Sequence, residues 1–237
     1  MIREKILSAY EDLSEKYNEM IDYKPHNAYY DRPNTLSLFP EKLEGLKVLD
    51  AACGPGKYAE ILISKGARVT GFDFSPKMIA LAQKRNNNQS DFFVHDLTRP
   101  LEMFADGVFD IVLCALALEY VEDWSATIRE FNRVLLPGGA LVISITHPFF
   151  DYNFFNSDKY FEVEPVKCTW KGFGMPVEVN SYRRSLTDCI APLNDNGFYI
   201  DKLLEPRPVS AMKKVDPRHF EELNQFPSFL CLRACKK

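Results

Sequence analysis

Two glycines between two aspartates form the part of the sequence with the clearest chemical potential. Asp50 ends an apolar run, Gly54 and Gly56 follow it, and Asp73 ends the next apolar run. The segment GPGKYA fits the pattern G-x-G-x-x-A, in which small residues let a nucleotide-bearing ligand approach the backbone closely. A carboxylate after the second strand of such a unit accepts hydrogen bonds from a ribose diol. The pattern therefore predicts a ligand that contains adenosine.

A third aspartate narrows the choice of ligand. Asp96 follows a further predicted strand, and the carboxyl ends of parallel strands face one crevice. We therefore expect Asp50, Asp73 and Asp96 to surround the same ligand. Three carboxylates would repel a pyrophosphate, but they suit an adenosyl ligand with positive charges. S-adenosyl-L-methionine, which carries an ammonium group and a sulfonium, is the predicted cofactor.

The elements that position these residues alternate along the chain. Strand-like apolar runs occupy residues 47–52, 67–72, 91–96, 108–118 and 140–146, and helical patterns occupy 57–65, the segment after Pro76, and 123–135. This alternation predicts an α/β fold of right-handed βαβ units, with a parallel sheet and helices on both faces. Gly138 and Gly139 are predicted to end the third of these helices.

Regular patterns are weaker at the two ends of the chain. Residues 1–22 place apolar side chains on one face of a predicted helix, and 23–40 are predicted to be an ordered loop with a short helix. After Thr146 the alternation stops, and the segment 149–182 holds ten aromatic residues. A helix at 185–196 and two strands, FYIDKLLE and SFLCLRAC, are predicted to complete the chain.

Composition excludes several classes of protein. The 237 residues are 46% hydrophobic and 26% charged, which is typical of a folded globular domain. The net charge of −4 and the lack of a Lys/Arg stripe disfavour nucleic acid as a partner. No apolar run of 18 residues or signal-peptide core predicts a membrane segment, and no C-x-x-C spacing predicts a metal site. We therefore expect a reduced, cytoplasmic protein without metal, of undetermined oligomeric state.

The combined motifs resemble a known family. In order, VLDAACGPG, VTGFDFSPKMIALAQKR, HDL, FDIVLCALALEYVEDW and RVLLPGGALVISITHPF resemble class I S-adenosylmethionine-dependent methyltransferases, most strongly over residues 47–148. The resemblance implies a Rossmann-like, doubly wound sheet of seven strands, mostly parallel, with the last strand antiparallel. It also implies cofactor contacts at Tyr17, Asp50, Ala51, Cys53, Gly54, Gly56, Asp73, Phe74, Met78, Asp96, Leu97 and Ala115.

The resemblance also divides the single domain, 1–237, into parts. Residues 1–45 would form a helical cover over the cofactor, and 46–147 the cofactor-binding core. Residues 148–183 would be a cap inserted after the fifth strand, and 184–237 a final helix with two strands. The aromatic residues of the cap suit a small, partly apolar methyl acceptor.

Candidates for catalysis and acceptor binding follow from the same placement. His147 and Glu119 come after the fifth and fourth strands, where a general base could act, although a methyl transfer needs a base only when the acceptor loses a proton. In other members of the family a histidine often stands at the position of Glu119. The candidate acceptor contacts are Tyr30, Arg32, Phe149, Tyr152 and Arg183.

Three functions are compatible with these residues. The first is methyl transfer from S-adenosyl-L-methionine to a small molecule, because the Asn/Asp-Pro-Pro-aromatic and Pro-Cys elements of nucleic-acid or protein methylation are missing after the fourth strand. The second is a non-catalytic S-adenosyl-L-methionine-binding or regulatory protein. The third is an NAD-dependent oxidoreductase, which Asp50 and the lack of a second substrate domain disfavour.

Overall fold

The computed structural model describes residues 2–174 and 176–237. Within them the strands are β1 (Lys47–Ala51), β2 (Arg68–Asp73), β3 (Asp91–Val94), β4 (Phe109–Ala115), β5 (Leu135–Thr146), β6 (Glu164–Trp170), β7 (Val177–Arg183), β8 (Phe198–Leu204) and β9 (Phe229–Lys236). The α-helices are α1 (Ile2–Met20), α2 (Arg32–Leu36), α3 (Lys57–Ser64), α4 (Pro76–Arg85), α5 (Trp124–Val134), α6 (Pro148–Phe154), α7 (Leu186–Asp195), α8 (Met212–Val215) and α9 (Pro217–Gln225). A π-helix at His26–Asp31 precedes α2, and a 3-10 turn at Leu118–Tyr120 follows β4.

Seven strands form one sheet in the order β3-β2-β1-β4-β5-β9-β8. The pairs among β1 to β5 are parallel, whereas β9 runs antiparallel to both β5 and β8. The order reverses direction between β1 and β4, and this is where an open α/β sheet forms its binding crevice. The predicted fold, including the antiparallel last strand, is confirmed.

The sheet is buried on both faces, as its apolar strands require. Along β4, Val112 and Cys114 pack with α5 and α7 on one face, while Ile111 and Leu113 pack with α3 and α4 on the other. Successive side chains of a strand point to opposite faces. A near-continuous apolar run is therefore needed to fill both layers.

The predicted turn before β5 is wrong. The strand begins directly after α5, and Leu135 pairs with Phe109 while Ala140 pairs with Ile111, so extra residues are accommodated in an irregular stretch. Gly139 is required there because a Cβ would lie within 3.0 Å of the carbonyl oxygens of Leu136 and Asp110. A glycine pair that normally ends helices serves here to let two backbones approach.

The aromatic segment after β5 contains regular structure that the sequence pattern did not predict. It folds into α6 and the antiparallel hairpin β6–β7, with Trp170 opposite Val177. Exposed and partly buried residues alternate along β6, so this strand lacks the apolar run that marks the central strands. The hairpin packs against α1 and the 3-10 turn.

Aromatic contacts join the hairpin to α1. The ring of Phe173 stacks on Tyr17 at 5.4 Å between centroids, and Trp170 meets Tyr10 edge to face at 6.2 Å. Ala9 and Leu13 of α1 are buried in the same cluster. Because a lone amphipathic helix is held mainly by packing of its apolar face, the hairpin fixes the position of α1.

Arg183 anchors the start of the hairpin to its end. Its guanidinium is fully buried, forms an ion pair with Glu164, and donates hydrogen bonds to the carbonyls of Lys159, Tyr160 and Glu162. Removing it would leave these acceptors without the donor that joins them, and hydrogen bonds to a charged group contribute more to stability than those between neutral groups.

We predict that Arg183→Met lowers the free energy of unfolding by about 3 kcal/mol, because it removes a buried guanidinium together with its ion pair and its hydrogen bonds to three carbonyls. Urea unfolding followed by circular dichroism measures this. The matched control is Arg218→Met on α9, whose side chain is 81% exposed and pairs with Glu222. The control is expected to change stability by at most about 0.5 kcal/mol. Equal effects of the two substitutions would contradict the anchoring role.

Candidate functional site

A crevice of about 1170 Å³, including its open mouth, lies at the carboxyl edge of the sheet. The ends of β1, β2 and β4 and the loop after β3 form its floor, and α1 and the π-helix form its cover. The sheet order reverses at the same place. A concave site with converging polar groups at this point is typical of ligand binding in α/β folds.

Most residues predicted to contact a cofactor line this crevice. They are Tyr17, Asp50, Cys53, Gly54, Asp73, Phe74, Met78, Asp96, Leu97 and Ala115. The structure does not place Ala51 and Gly56 there. Ala51 is fully buried in the sheet core. Gly56 has a φ of +77°, and a Cβ on it would meet the Asn86 amide at 2.6 Å, so it permits packing between α3 and α4.

Gly54 and Asp73 are joined directly. The Gly54 amide donates to Asp73 Oδ2 at 2.9 Å, and the Ser75 amide donates to Asp73 Oδ1 at 2.9 Å. Gly54 has a φ of +52°, and no atom lies within 4 Å of a Cβ built on it, so this turn leaves open space for a ligand. Burial raises the pKa of Asp73 to about 6 despite its amide donors.

Asp50 is a buried carboxyl that lacks a partner on one oxygen. The residue is 2% exposed, and its Oδ2 has no hydrogen-bond partner among the described residues. Burial, and then the charge of Asp73, raises the pKa of Asp50 to about 7. An unpaired buried carboxylate is costly unless something compensates it. A cationic ligand in the crevice would supply that compensation, so the residues present fit S-adenosyl-L-methionine.

Asp96 already has two partners at the β3 end of the crevice. Its Oδ1 accepts hydrogen bonds from the amide and hydroxyl of Thr98, and its Oδ2 forms an ion pair with Arg3 of α1. The Arg3 guanidinium also lies over the ring of Phe74, at 5.6 Å. An adenine amino group would therefore have to share Asp96 with Arg3.

Two residues of the crevice wall have a strained backbone that the sequence pattern did not predict. Ala52 and Leu116 line the crevice and have φ values of +61° and +50°. Non-glycine residues rarely adopt this left-handed conformation, and such strain is concentrated at functional sites. Glycines would have revealed these turns, whereas alanine and leucine conceal them.

The end of the crevice near α2 contains polar residues that sequence reasoning missed. Asn27, Asp31 and Tyr58 line it together with Arg32. Tyr58 donates to Asp31 Oδ2 at 2.6 Å, and Arg32 donates to the carbonyl of Ile21 at 2.6 Å. The buried Nε of Arg32 has no partner within the described part of the chain. The prediction placed Arg32 with the acceptor, and the structure brings it into the same crevice as the three predicted cofactor acids.

The structure does not bring His147 into the crevice, so its predicted role at the reaction centre gains no support from the geometry. His147 is the N-cap of α6, where its Nδ1 accepts the Phe149 amide at 3.2 Å, and its Nε2 lies 3.1 Å from Glu205 Oε1. It does not line the crevice. Burial lowers the pKa of His147. The sequence pattern identified a residue after β5 but could not show that the chain turns away there into a helix.

Glu119 also faces away from the crevice. It lines a separate cavity, large enough for about one water molecule, with Asp151 and Arg184. Its Oε1 accepts the Thr146 amide at 2.7 Å, and its Oε2 has no partner among the residues described. Burial raises the pKa of Glu119 to about 7. The structure therefore does not place Glu119 in the crevice with the predicted cofactor residues, and its role in catalysis stays a prediction.

The remaining predicted acceptor contacts do not meet in the crevice. Tyr30 is fully buried, and its hydroxyl accepts the Ser228 amide at 3.0 Å. Phe149 is 49% exposed on α6 and stacks on Tyr160. Tyr152 also belongs to this outer cluster, and Arg183 is the hairpin anchor. No described residue of 149–182 lines the crevice, so the cap supports α1 and does not wall the crevice.

Comparisons with known proteins agree with this geometry. A family model described as a methyltransferase domain matches residues 49–143. A demethylmenaquinone methyltransferase of Staphylococcus aureus is 30% identical over 148 residues, which cover 59% of this chain and 59% of that enzyme. The structure of an S-adenosylmethionine-dependent methyltransferase from Mesorhizobium loti superposes with a TM-score of 0.70 and 25% identity, covering 91% of this chain and all of that one.

A second solved structure shows the same fold. A putative S-adenosylmethionine-dependent methyltransferase from Listeria monocytogenes has a TM-score of 0.73 and 22% identity, over 87% of this chain and 96% of that one. With the family match and the crevice, these similarities confirm the resemblance seen in the sequence. Residues 49–143 match the methyltransferase-domain family, and the fold as a whole is that of S-adenosylmethionine-dependent methyltransferases.

We predict that Asp50→Asn stabilises the ligand-free protein more at pH 8 than at pH 5. The folded protein holds the Asp50 proton up to about pH 7, whereas an unfolded chain releases it near pH 4. The folded state therefore binds more protons in this window, and the contribution of Asp50 to stability falls as the pH rises. Asp50→Asn removes this cost of ionising a buried carboxyl. The difference in the free energy of unfolding between the variant and the wild type should therefore grow by about 2 kcal/mol in favour of the variant from pH 5 to pH 8.

Urea unfolding at pH 5 and pH 8 measures this difference. Asp158→Asn, which changes an exposed carboxylate, is the control and should give the same small effect at both pH values. Glu119→Gln is the second control. It should follow the trend of Asp50→Asn in stability, because burial raises the pKa of Glu119 as well, yet leave ligand binding in the crevice unchanged. A pH-independent effect of Asp50→Asn would contradict the buried, unpaired carboxylate.

Proposed function

We propose that this protein transfers a methyl group from S-adenosyl-L-methionine to a small-molecule acceptor in the crevice. The observation that carries the proposal is the orphaned carboxylate of Asp50 beside a glycine turn whose amide is held by Asp73. This arrangement offers hydrogen-bond acceptors for a ribose and compensation for a cation. When bound, the cofactor supplies a methyl group on a positively charged sulfur.

Different residues of the crevice would contact different parts of the cofactor. Asp73 is placed to accept the ribose hydroxyls, since each carboxylate oxygen has lone pairs beyond those used by the amides. Phe74 and Met78 supply apolar surface on the adenosine side, and Asp50 compensates positive charge. Arg32, with its unpartnered Nε, is placed to bind the carboxylate of the amino-acid part, as a guanidinium does well.

The contribution to catalysis is then mainly orientation and exclusion of water. Methyl transfer is an in-line displacement, and holding two reactants in line contributes up to about 7–11 kcal/mol in favourable cases. α1 covers the crevice, and the hairpin holds α1 in place through Tyr17 and Phe173. A covered, mostly apolar crevice limits the access of water to the reacting atoms.

A small acceptor fits the enclosure of the site. The crevice lies under α1 and the π-helix, which leave little room for a macromolecular chain to reach the ends of β4 and β1. The Staphylococcus relative is named for a small aromatic acceptor, demethylmenaquinone. Among the described residues no helix is long and apolar enough to cross a bilayer. A cytoplasmic location stays a prediction.

The alternative of a non-catalytic binding protein makes a different prediction for the same site. Such a protein would bind S-adenosyl-L-methionine and S-adenosylhomocysteine without releasing methylated product. Incubation with tritiated S-adenosyl-L-methionine and a panel of quinols, phenols and amines, with extraction of labelled product, separates the two. Transfer to any panel member supports the enzyme, and tight cofactor binding with no transfer to any of them supports the binding protein.

We predict that Arg32→Met and Asp73→Asn weaken binding in different patterns. Arg32→Met should weaken S-adenosylhomocysteine about tenfold or more, because a hydrogen bond to a charged group contributes about 1.5–3 kcal/mol. It should leave methylthioadenosine, which lacks the amino-acid part, unchanged. Asp73→Asn should weaken both ligands, because both contain the ribose. Isothermal titration calorimetry measures the four affinities.

Asp110→Asn is the matched control, since Asp110 accepts the Lys47 amide at the opposite edge of the sheet and does not line the crevice. It should bind both ligands as the wild type does. If Arg32→Met weakened methylthioadenosine as much as S-adenosylhomocysteine, the assignment of Arg32 to the carboxylate would be wrong. If Asp73→Asn bound both ligands normally, the ribose assignment would be wrong.

A further inference from the structure

One carboxylate in the crevice has no role in the proposed function. Asp31 is 2% exposed; Tyr58 donates to its Oδ2 at 2.6 Å, and Thr35 donates to its Oδ1 at 3.1 Å. Within the described residues no salt bridge joins it, and the neighbouring Arg32 donates instead to the carbonyl of Ile21. The neutral hydroxyls of Tyr58 and Thr35 hold this carboxyl in one orientation, and the nearby charge of Arg32 favours its ionised form without an ion pair.

Asp31 lies on the other side of the crevice from the cofactor acids. Asp50, Asp73 and Asp96 belong to β1, β2 and the end of β3, which form one half of the sheet. Asp31, by contrast, lies beside Ser144 of β5. The helix α2 that follows Asp31 packs on β5 and β9. The crevice therefore has three acids, Asp50, Asp73 and Asp96, in the half that would hold the adenosyl group. Asp31 lies in the other half, beyond β4.

In the proposed binding mode of the cofactor, the methyl group would be presented at the wall between these two halves. Ser144 pairs with Ala115, and its carbonyl accepts the amide of the strained residue Leu116. Both Ala115 and Leu116 line the crevice. Tyr17 connects the halves from above. Burial and then the charge of Asp31 raise the pKa of Tyr17 to about 12, and Asp73 adds to the same effect.

Resting on the proposed function, we propose that Asp31 binds the nucleophilic N–H or O–H group of the methyl acceptor and takes its proton, with Tyr58 and Thr35 as positioning residues. The acceptor is then an amine or a hydroxyl compound, whose N–H or O–H group is a strong donor to a carboxylate. Burial raises the pKa of Asp31, which brings its proton affinity closer to that of a general base working near neutral pH.

The step balances in atoms and charge. The lone pair of the acceptor atom forms the new bond to the methyl carbon, and the electrons of the broken carbon–sulfur bond stay on sulfur, which becomes neutral. The acceptor atom passes its proton to a carboxylate oxygen of Asp31. The products are a neutral methylated acceptor and a protonated Asp31, which returns the proton to water after release.

Sinefungin tests this placement without knowledge of the acceptor. It is an analogue of the cofactor in which a carbon bearing an ammonium group replaces the methyl-bearing sulfur, so its charge lies where the acceptor meets the methyl group. Titration of the full-length wild type should show sinefungin binding more tightly than S-adenosylhomocysteine. Asp31→Asn, which keeps the shape, should weaken sinefungin about tenfold or more and S-adenosylhomocysteine less than about twofold.

The outcomes separate this inference from the proposed function. Failure of the wild type to bind S-adenosylhomocysteine would overturn the proposed function itself. Equal weakening of both ligands by Asp31→Asn would assign Asp31 to the amino-acid part of the cofactor or to the fold, and would overturn the acceptor role. A crystal structure of the wild type with sinefungin decides the matter if the variant does not fold. The amine should lie about 2.7–3.2 Å from an Asp31 oxygen, and an amine directed at Asp50 would contradict the inference.

Discussion

The cost of burying carboxylates without cations is the constraint on which this structure depends. Asp31, Asp50 and Asp73 lie at one edge of the sheet, each desolvated, and burial raises the pKa of all three. Backbone amides satisfy Asp73, and hydroxyls satisfy Asp31, but Asp50 keeps one oxygen without a partner. A fold that maintains such groups is less stable empty than it could be. The binding of a cationic ligand would recover that stability. The cost of the unpaired carboxylate in the free protein therefore adds to the affinity for the ligand.

The remaining elements keep this acidic edge away from water. α1 covers the crevice and reaches its acids directly, since Arg3 pairs with Asp96 and Glu11 accepts the amide of Lys77 at the start of α4. The hairpin β6–β7 packs on the far side of α1, and Arg183 anchors the hairpin. The aromatic insertion therefore affects the site indirectly, through α1. It holds the cover in place, and the cover in turn limits access to the crevice.

The central sheet was predictable because its signals are local. The apolar strands, the glycine turn and the acids at strand ends specify β1 to β5 and the position of the crevice. The hairpin was not predictable, because β6 alternates between exposed and partly buried residues. In addition, β7 packs against α1, which lies more than about 150 residues earlier in the chain. The same limit applies to the site. Strand-end positions identified Asp50 and Asp73, whereas His147 and Glu119 follow strands but turn away, and Asp31 enters the crevice from a π-helix without any periodic signal.

The acidic crevice is expected to bind an adenosyl ligand with a positive charge and not a dinucleotide. Titration of the wild-type protein with S-adenosyl-L-methionine and with NAD, by isothermal titration calorimetry in the same buffer, tests it most directly. We expect one S-adenosyl-L-methionine site per chain and no heat of binding for NAD. Saturable binding of NAD without binding of S-adenosyl-L-methionine would contradict it.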